Sequence, residues 1–320
     1  MSDALRWPTT ADEPPGLFSS EDLLVPELGT GRMSGLEFLH VTAKSILNHV
    51  PDGSRAPTNW TINVYRGCSH ACLYCFARPT HEYLGLNLGD DFDRRIVVKI
   101  NAVEKLRAEL SAPGWRNEPV AMGTNTDPYQ RAEAKYRLTR GVLEALTDHA
   151  TPYSILTKSP LVTRDLDILR AARAAASVNF SIATLEQRVW RASEPGTPNP
   201  RRRVAAMAEL SRAGVRTGAL VAPVLPGLSD SPRQLREVVT AIDDAGGRLL
   251  GISALYLRPG VREHFLDWLR GAFPEQYDSY RRRYAAGPYA PARYLDTLYA
   301  RAGIRRGTDG SGARRGTAAG

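Results

Sequence analysis

Six short runs rich in β-branched and apolar residues recur along the chain, at 61–65, 119–123, 153–157, 177–183, 216–222 and 249–255. Helical patterns lie between them, at 94–110, 139–149, 161–174, 200–213 and 232–245, and Gly214 and Gly246 follow the last two where a left-handed cap ends a helix. An alternation of this kind builds βα units, and right-handed crossovers lay their strands parallel. The fold class expected is therefore α/β, a partial (β/α)6 TIM-like barrel. In that architecture functional residues sit at the C-terminal ends of the strands.

The segments outside this rhythm differ in character. Residues 1–58 carry Pro14-Pro15, Gly29-Thr30-Gly31 and Pro51-Asp52-Gly53 with no sustained apolar period, and read as an irregular N-terminal extension whose middle, 33–49, takes some strand or helix. The barrel is assigned to 59–258. Over 259–303 aromatic residues recur every three to five positions, from Phe265 and Trp268 to Tyr294 and Tyr299, which predicts a helical C-terminal extension with its rings in the core. Residues 304–320, rich in Gly, Arg and Thr, read as a disordered basic tail.

Three cysteines, all between positions 68 and 75, do not fit a disulfide framework, and a metal in a reducing compartment is the better reading. The N-terminus has neither the basic start nor the apolar stretch of a secretory signal, and no run reaches membrane-spanning length, so a soluble, cytoplasmic protein is expected. The net charge is +8, but residues 301–320 alone hold five Arg against one Asp. A basic tail thus explains half of the sign. Only five of the 42 basic residues are Lys, which makes each lysine more informative.

Directly after the first strand the chain reads Asn63-Val64-Tyr65-Arg66-Gly67-Cys68-Ser69-His70-Ala71-Cys72-Leu73-Tyr74-Cys75-Phe76, a C-x3-C-x2-C spacing. Thiolates are soft ligands suited to zinc or iron–sulfur, and a short loop can turn three of them onto one cluster. Three ligands for four irons leave one iron open, as catalytic metal centres do. The alternative is a structural zinc site with His70 or His81 as its fourth ligand.

At these residues the sequence resembles the radical S-adenosylmethionine superfamily, and within it the spore-photoproduct-lyase-related branch. The closer likeness rests on Thr124-Asn125-Thr126-Asp127-Pro128, Leu156-Thr157-Lys158-Ser159, Phe180-Ser181-Ile182, Glu194-Pro195-Gly196-Thr197 with Arg203, and Val221-Ala222-Pro223-Val224. The resemblance implies a [4Fe–4S] cluster on Cys68, Cys72 and Cys75, with S-adenosylmethionine chelating the open iron and yielding a 5′-deoxyadenosyl radical. It assigns cofactor contacts to Tyr74, Thr124, Lys158, Ser181, Glu194 and Arg203, with Lys158 as the cation for the methionine carboxylate. Salt bridging or a helix start would account equally for Glu194 and Arg203, and Asp127-Pro128 for a turn. The resemblance also implies an external one-electron donor such as a flavodoxin or ferredoxin, and it leaves the substrate open, with nucleic acid or a nucleotide among the candidates.

Two positions depart from the pattern. The hydrogen-donor cysteine of spore photoproduct lyases corresponds to Gly123, and the relay tyrosine after the last cluster cysteine corresponds to Phe76. Glycine at 123 suggests more room for a different substrate. The competing reading is a nucleic-acid-binding protein with a structural or redox-sensing cluster; a scaffold that has lost turnover is a third.

Overall fold

The computed structural model describes residues 26–50, 58–306 and 314–315. Its internal contacts divide the chain into two units: one from the chain up to Ala71, Ala77–Thr157 and Arg164–Ala176, the other from Cys72–Phe76, Lys158–Thr163 and the chain from Ser177 onward. The segment 59–258 therefore contributes to both.

The first unit carries β1 (Glu27–Leu28), β2 (Glu37–Val41), β3 (Leu47–His49), β4 (Trp60–Ile62), β5 (Tyr65–Arg66), α1 (Asp90–Arg94) and β6 (Arg95–Lys99). It continues with α2 (Ala102–Leu110), β7 (Val120–Met122), α3 (Glu133–Tyr136), α4 (Leu138–Asp148), β8 (Tyr153–Thr157) and α5 (Leu166–Ala171). Strands β4, β7 and β8 run parallel in register Ile62–Met122–Ile155, and β3 closes on β4 antiparallel. A separate sheet has the order β1-β2-β6-β5.

One expectation is corrected here. In the described part of the N-terminal extension, β2 and β3 fall within 33–49, where some strand or helix is expected, and the two-residue β1 precedes them; residues 1–25 and 51–57 fall outside the described residues. Its strands have five residues or fewer, and β2 pairs in parallel with β6 more than fifty residues on, so no local period announces them. The helix expected over 94–110 begins only at Ala102. Ile96, Val97 and Val98, buried and β-branched, instead pair in parallel with β2.

The second unit holds β9 (Ala176–Ser181, whose first residue belongs to the other unit), α6 (Gln187–Ser193), α7 (Pro200–Arg212), β10 (Arg216–Val224), α8 (Pro232–Asp244) and β11 (Arg248–Ala254). Strands β9, β10 and β11 are parallel, with Phe180 and Leu249 level with Ala219. Helix α8 shows how locally such an element is encoded. Ser231 caps its first turn in a reciprocal box with Gln234, Pro232 supplies the fixed φ of the first position, and Leu235, Val238, Val239 and Ile242 bury one face. Gly246, at φ 71°, ends it, and Gly247 N–H returns to the Ile242 carbonyl at 3.0 Å.

Helices α9 (Val261–Ala272), α10 (Tyr277–Arg283) and α11 (Ala292–Ala302) follow. Phe265, Phe273, Tyr280 and Tyr284 are buried with Leu255 and Leu257, and Cys72 and Tyr74 belong to the same cluster. These rings form core, as expected, each fully buried apolar side chain contributing about 1.5–3 kcal/mol. Tyr289 stays exposed. At the expected tail, Ile304–Arg305 pairs antiparallel with Arg314–Arg315, so that portion has structure, while 307–313 and 316–320 lie outside the described residues. Among the described residues no helix is long and apolar enough to cross a membrane.

Candidate active site

The cysteine loop leaves β5 through Gly67, at φ 78°. A Cβ there would lie 2.8 Å from His81 Cε1 and 2.9 Å from the Phe92 carbonyl oxygen, so only glycine fits. The Gly67 carbonyl accepts Thr126 Oγ1 at 2.6 Å and Gln130 Nε2 at 3.0 Å. Ser69 N–H donates to Gln130 Oε1 at 2.9 Å, and Cys68 N–H to the Phe92 carbonyl at 2.9 Å. The segment after β7 thus clamps the start of the loop.

Two successive turns follow. Ala71 N–H donates to the Cys68 carbonyl at 3.1 Å, and Cys75 N–H to the Cys72 carbonyl at 3.2 Å. Cys68 and Cys72 are buried, Cys75 is partly exposed, and none forms a disulfide. Among the described residues, no three His, Cys, Asp or Glu side chains are grouped to hold one metal ion. A cubane asks for something different, since each thiolate takes its own iron, and three soft donors on consecutive turns fit that demand.

Neither histidine named as a zinc ligand belongs to a group of three metal-ligating side chains among the described residues. His81, fully buried, hydrogen-bonds the Arg95 carbonyl through Nε2 at 3.0 Å, and burial lowers its pKa to about 4. His70 Nδ1 lies 3.3 Å from Asp127 Oδ2, with both side chains under 10% exposed. Burial alone would keep this ring neutral, but the Asp127 carboxylate and the Cys68 thiolate outweigh it and raise its pKa to about 10.

The second unit assembles five of the expected contact residues in one network. Glu194, 3% exposed, takes the Tyr74 hydroxyl and Lys158 Nζ (3.1 Å) on Oε1, and Arg203 Nη2 (2.5 Å) and Thr197 Oγ1 (3.1 Å) on Oε2. Lys158 Nζ also donates to Ser181 Oγ at 2.7 Å, and Arg203 Nη1 to the Ser181 carbonyl at 3.0 Å. Burial opposes a charged Glu194, yet Arg203 and then Lys158 hold its pKa far below the usual carboxylate value. Burial, the Glu194 charge and Cys72 push the Tyr74 phenol well above its ordinary range, so it remains the donor. Leu73 N–H donates to the Ser193 carbonyl at 3.0 Å, tying the cysteine loop to the end of α6.

Thr124 belongs to the first unit, where its hydroxyl accepts Asn63 Nδ2 at 3.2 Å. Nearby, Gly123 has φ 88°, and a Cβ on it would stand 2.0 Å from the Leu156 carbonyl oxygen. The expectation that glycine opens room here is therefore corrected. Strand β8 fills the space a side chain would need.

Sequence reasoning missed Gln130, Thr126 and Thr197 as supports, and gave His70 only the role of a zinc ligand. The signal present was polar residues concentrated just past strand ends.

The chain matches the family described as Radical SAM superfamily over residues 62–239. It is 46% identical over 277 residues to an uncharacterized protein of Mycobacterium tuberculosis, covering 86% of this chain and 82% of that one. It is 27% identical over 181 residues to the Radical SAM Nalpha-GlyT isomerase of Pseudomonas phage M6, covering 55% of this chain and 35% of that protein. In fold it is similar to spore photoproduct lyase complexed with dinucleoside spore photoproduct, with TM-score 0.59, 16% identity, and coverage of 83% and 77% of the two chains. That likeness carries the partial-barrel α/β fold.

Proposed function

Because this chain belongs to the radical S-adenosylmethionine superfamily, we propose that it is a radical enzyme whose Cys68, Cys72 and Cys75 hold a [4Fe–4S] cluster. With S-adenosylmethionine bound, that cluster supplies the electron that releases a 5′-deoxyadenosyl radical. The observation that carries the reading is the convergence of Tyr74, Lys158, Ser181 and Arg203 on the buried Glu194 carboxylate, beside the loop that bears two of the cysteines.

The network sorts its members. Lys158, 13% exposed, supplies a point cation for the methionine carboxylate, and Ser181, whose Oγ accepts Lys158 Nζ and donates to the Ala222 carbonyl at 2.7 Å, meets the cofactor beside it by exchanging that donor. Glu194 takes two internal donors on each oxygen and Arg203 spends Nη1 and Nη2 on Ser181, Glu194 and Thr197, so they set the position of Lys158 and Tyr74 instead of meeting the cofactor. Tyr74 contributes its backbone to the adenine site, its hydroxyl being committed to Glu194. Thr124 supplies a hydroxyl contact to the cofactor from the end of β7.

For the substrate we favour nucleic acid or a nucleotide, which the dinucleoside ligand of the fold neighbour supports. Gly123 and Phe76 exclude the cysteine–tyrosine hydrogen return of the lyases. An external one-electron carrier, a flavodoxin or ferredoxin, serves as the reductant, and the protein works in the reducing cytoplasm. The domain scheme is a barrel over 59–258 with a helical extension over 259–303.

Anaerobic reconstitution followed by reduction with S-adenosylmethionine present tests this reading. 5′-Deoxyadenosine is expected. Its absence with an intact cluster would leave a nucleic-acid-binding protein with a structural cluster as the better account.

A further inference from the structure

One ring of the C-terminal helical extension stays outside its core. Tyr289 is 52% exposed, and its ring centroid lies 4.7 Å from that of the partly exposed Tyr256, the two planes 38° apart. Main chain anchors the segment: Tyr256 and Tyr289 form an isolated antiparallel bridge, and Leu257 N–H donates to the Pro288 carbonyl at 2.9 Å. Leu255 and Leu257 are each 1% exposed while Tyr256 and Arg258 are not buried, an alternation that turns Tyr256 and Arg258 to the same outer side. Arg258 makes no side-chain hydrogen bond or ion pair among the described residues. Leu255 N–H donates to the carbonyl of Val224, the last residue of β10, at 3.1 Å, and the Ala222 carbonyl accepts Ser181 Oγ at 2.7 Å. The pair therefore stands at the C-terminal ends of β10 and β11, the end at which β9 carries Ser181.

We propose that Tyr289, Tyr256 and Arg258 form a binding subsite for one nucleotide unit, its base stacked on the Tyr289 ring and its phosphate on the Arg258 guanidinium. The inference rests on the reading that the substrate is nucleic acid or a nucleotide. An aromatic face half open to water is stabilised when a planar base covers it, whatever the base. A guanidinium without a counter-charge matches the oxygens of a phosphate with paired, charge-assisted hydrogen bonds. Tyr256 backs the Tyr289 ring, and the main-chain bridge fixes where both begin. The subsite serves binding and takes no part in the hydrogen transfer.

The test is binding of a short labelled single-stranded oligonucleotide to the reconstituted full-length protein, read by fluorescence anisotropy over a range of salt. Y289A is expected to weaken binding about fivefold or more, whereas Y289F, which keeps the aromatic face, should bind as the wild type does. R258A should lower the slope of log affinity against log salt by about 0.7, the share of one phosphate contact on a single strand. In the wild-type protein, an oligonucleotide carrying iodouracil should photocrosslink to Tyr289, a result that depends on no variant folding. Competition with free dTMP separates the two sources of such a ligand: displacement equal to that by unlabelled oligonucleotide assigns the subsite to a free nucleotide, and weaker displacement assigns it to a strand. Unchanged affinity in Y289A, a loss in Y289F equal to that in Y289A, an unchanged salt slope in R258A, or crosslinks confined to other residues would each overturn the proposal. Failure of the nucleic-acid reading itself would appear differently, as wild-type protein that binds neither probe.

Discussion

Glu194 accepts the Tyr74 hydroxyl and the Lys158 ammonium on the same carboxylate oxygen. The residue between Cys72 and Cys75 and the residue after β8 are thereby held by one buried charge. Arg203, 1% exposed, balances that charge from the other side.

Glu194→Gln leaves Arg203 buried without its counter-charge. Removing one partner of a buried pair costs about 3–5 kcal/mol. Denaturant unfolding of the protein without cluster should show that loss, and a change under about 1 kcal/mol would mean that water or another group takes over the pairing.

Lys158→Ala should weaken S-adenosylmethionine binding by about tenfold or more, as expected for a charge-assisted contact, with iron content unchanged. Equilibrium binding to the reconstituted protein measures it. Equal affinities would confine Lys158 to bracing Glu194.

Cys72→Ala should abolish the cluster, leaving neither its iron nor its visible absorption. Iron equal to wild type would remove Cys72 from the ligand set.

His81 is neutral in the fold, with a pKa lowered to about 4 against 6.5 for the free side chain. The unfolded chain therefore binds the extra proton first, and the contribution of His81 to stability falls as pH drops below 6.5. From pH 7 to pH 5 the loss is about 2 kcal/mol. H81Q should flatten this dependence in unfolding experiments, and an unaltered slope would assign it elsewhere.

Gly123→Ala should cost more than about 2 kcal/mol, combining a left-handed φ with a Cβ pressed on the Leu156 carbonyl. Thermal unfolding reads it directly.

The strands of the βα units were legible because each is a short apolar run bounded by turns, and Ser231-Pro232 with Gly246 marked a helix at both ends. The β6 segment was not, since Arg95–Lys99 abuts a helical pattern and its partner β2 lies more than fifty residues away. At the site, spacing marks the cysteine loop, while Lys158 is singled out by the family resemblance. What composition does not encode is commitment. Glu194, read from sequence as a cofactor contact or a salt-bridge partner, has both oxygens filled by internal donors, and His70, read as a zinc ligand, stands beside Asp127.

The closeness of β8 to Gly123 bears finally on the order in which such chemistries are acquired. A single codon change to cysteine at this position passes through a protein whose β7–β8 pairing must first give way. A descendant of this chain can gain a thiol hydrogen donor there only after the Leu156 backbone has moved, so the scaffold must change before the reaction does.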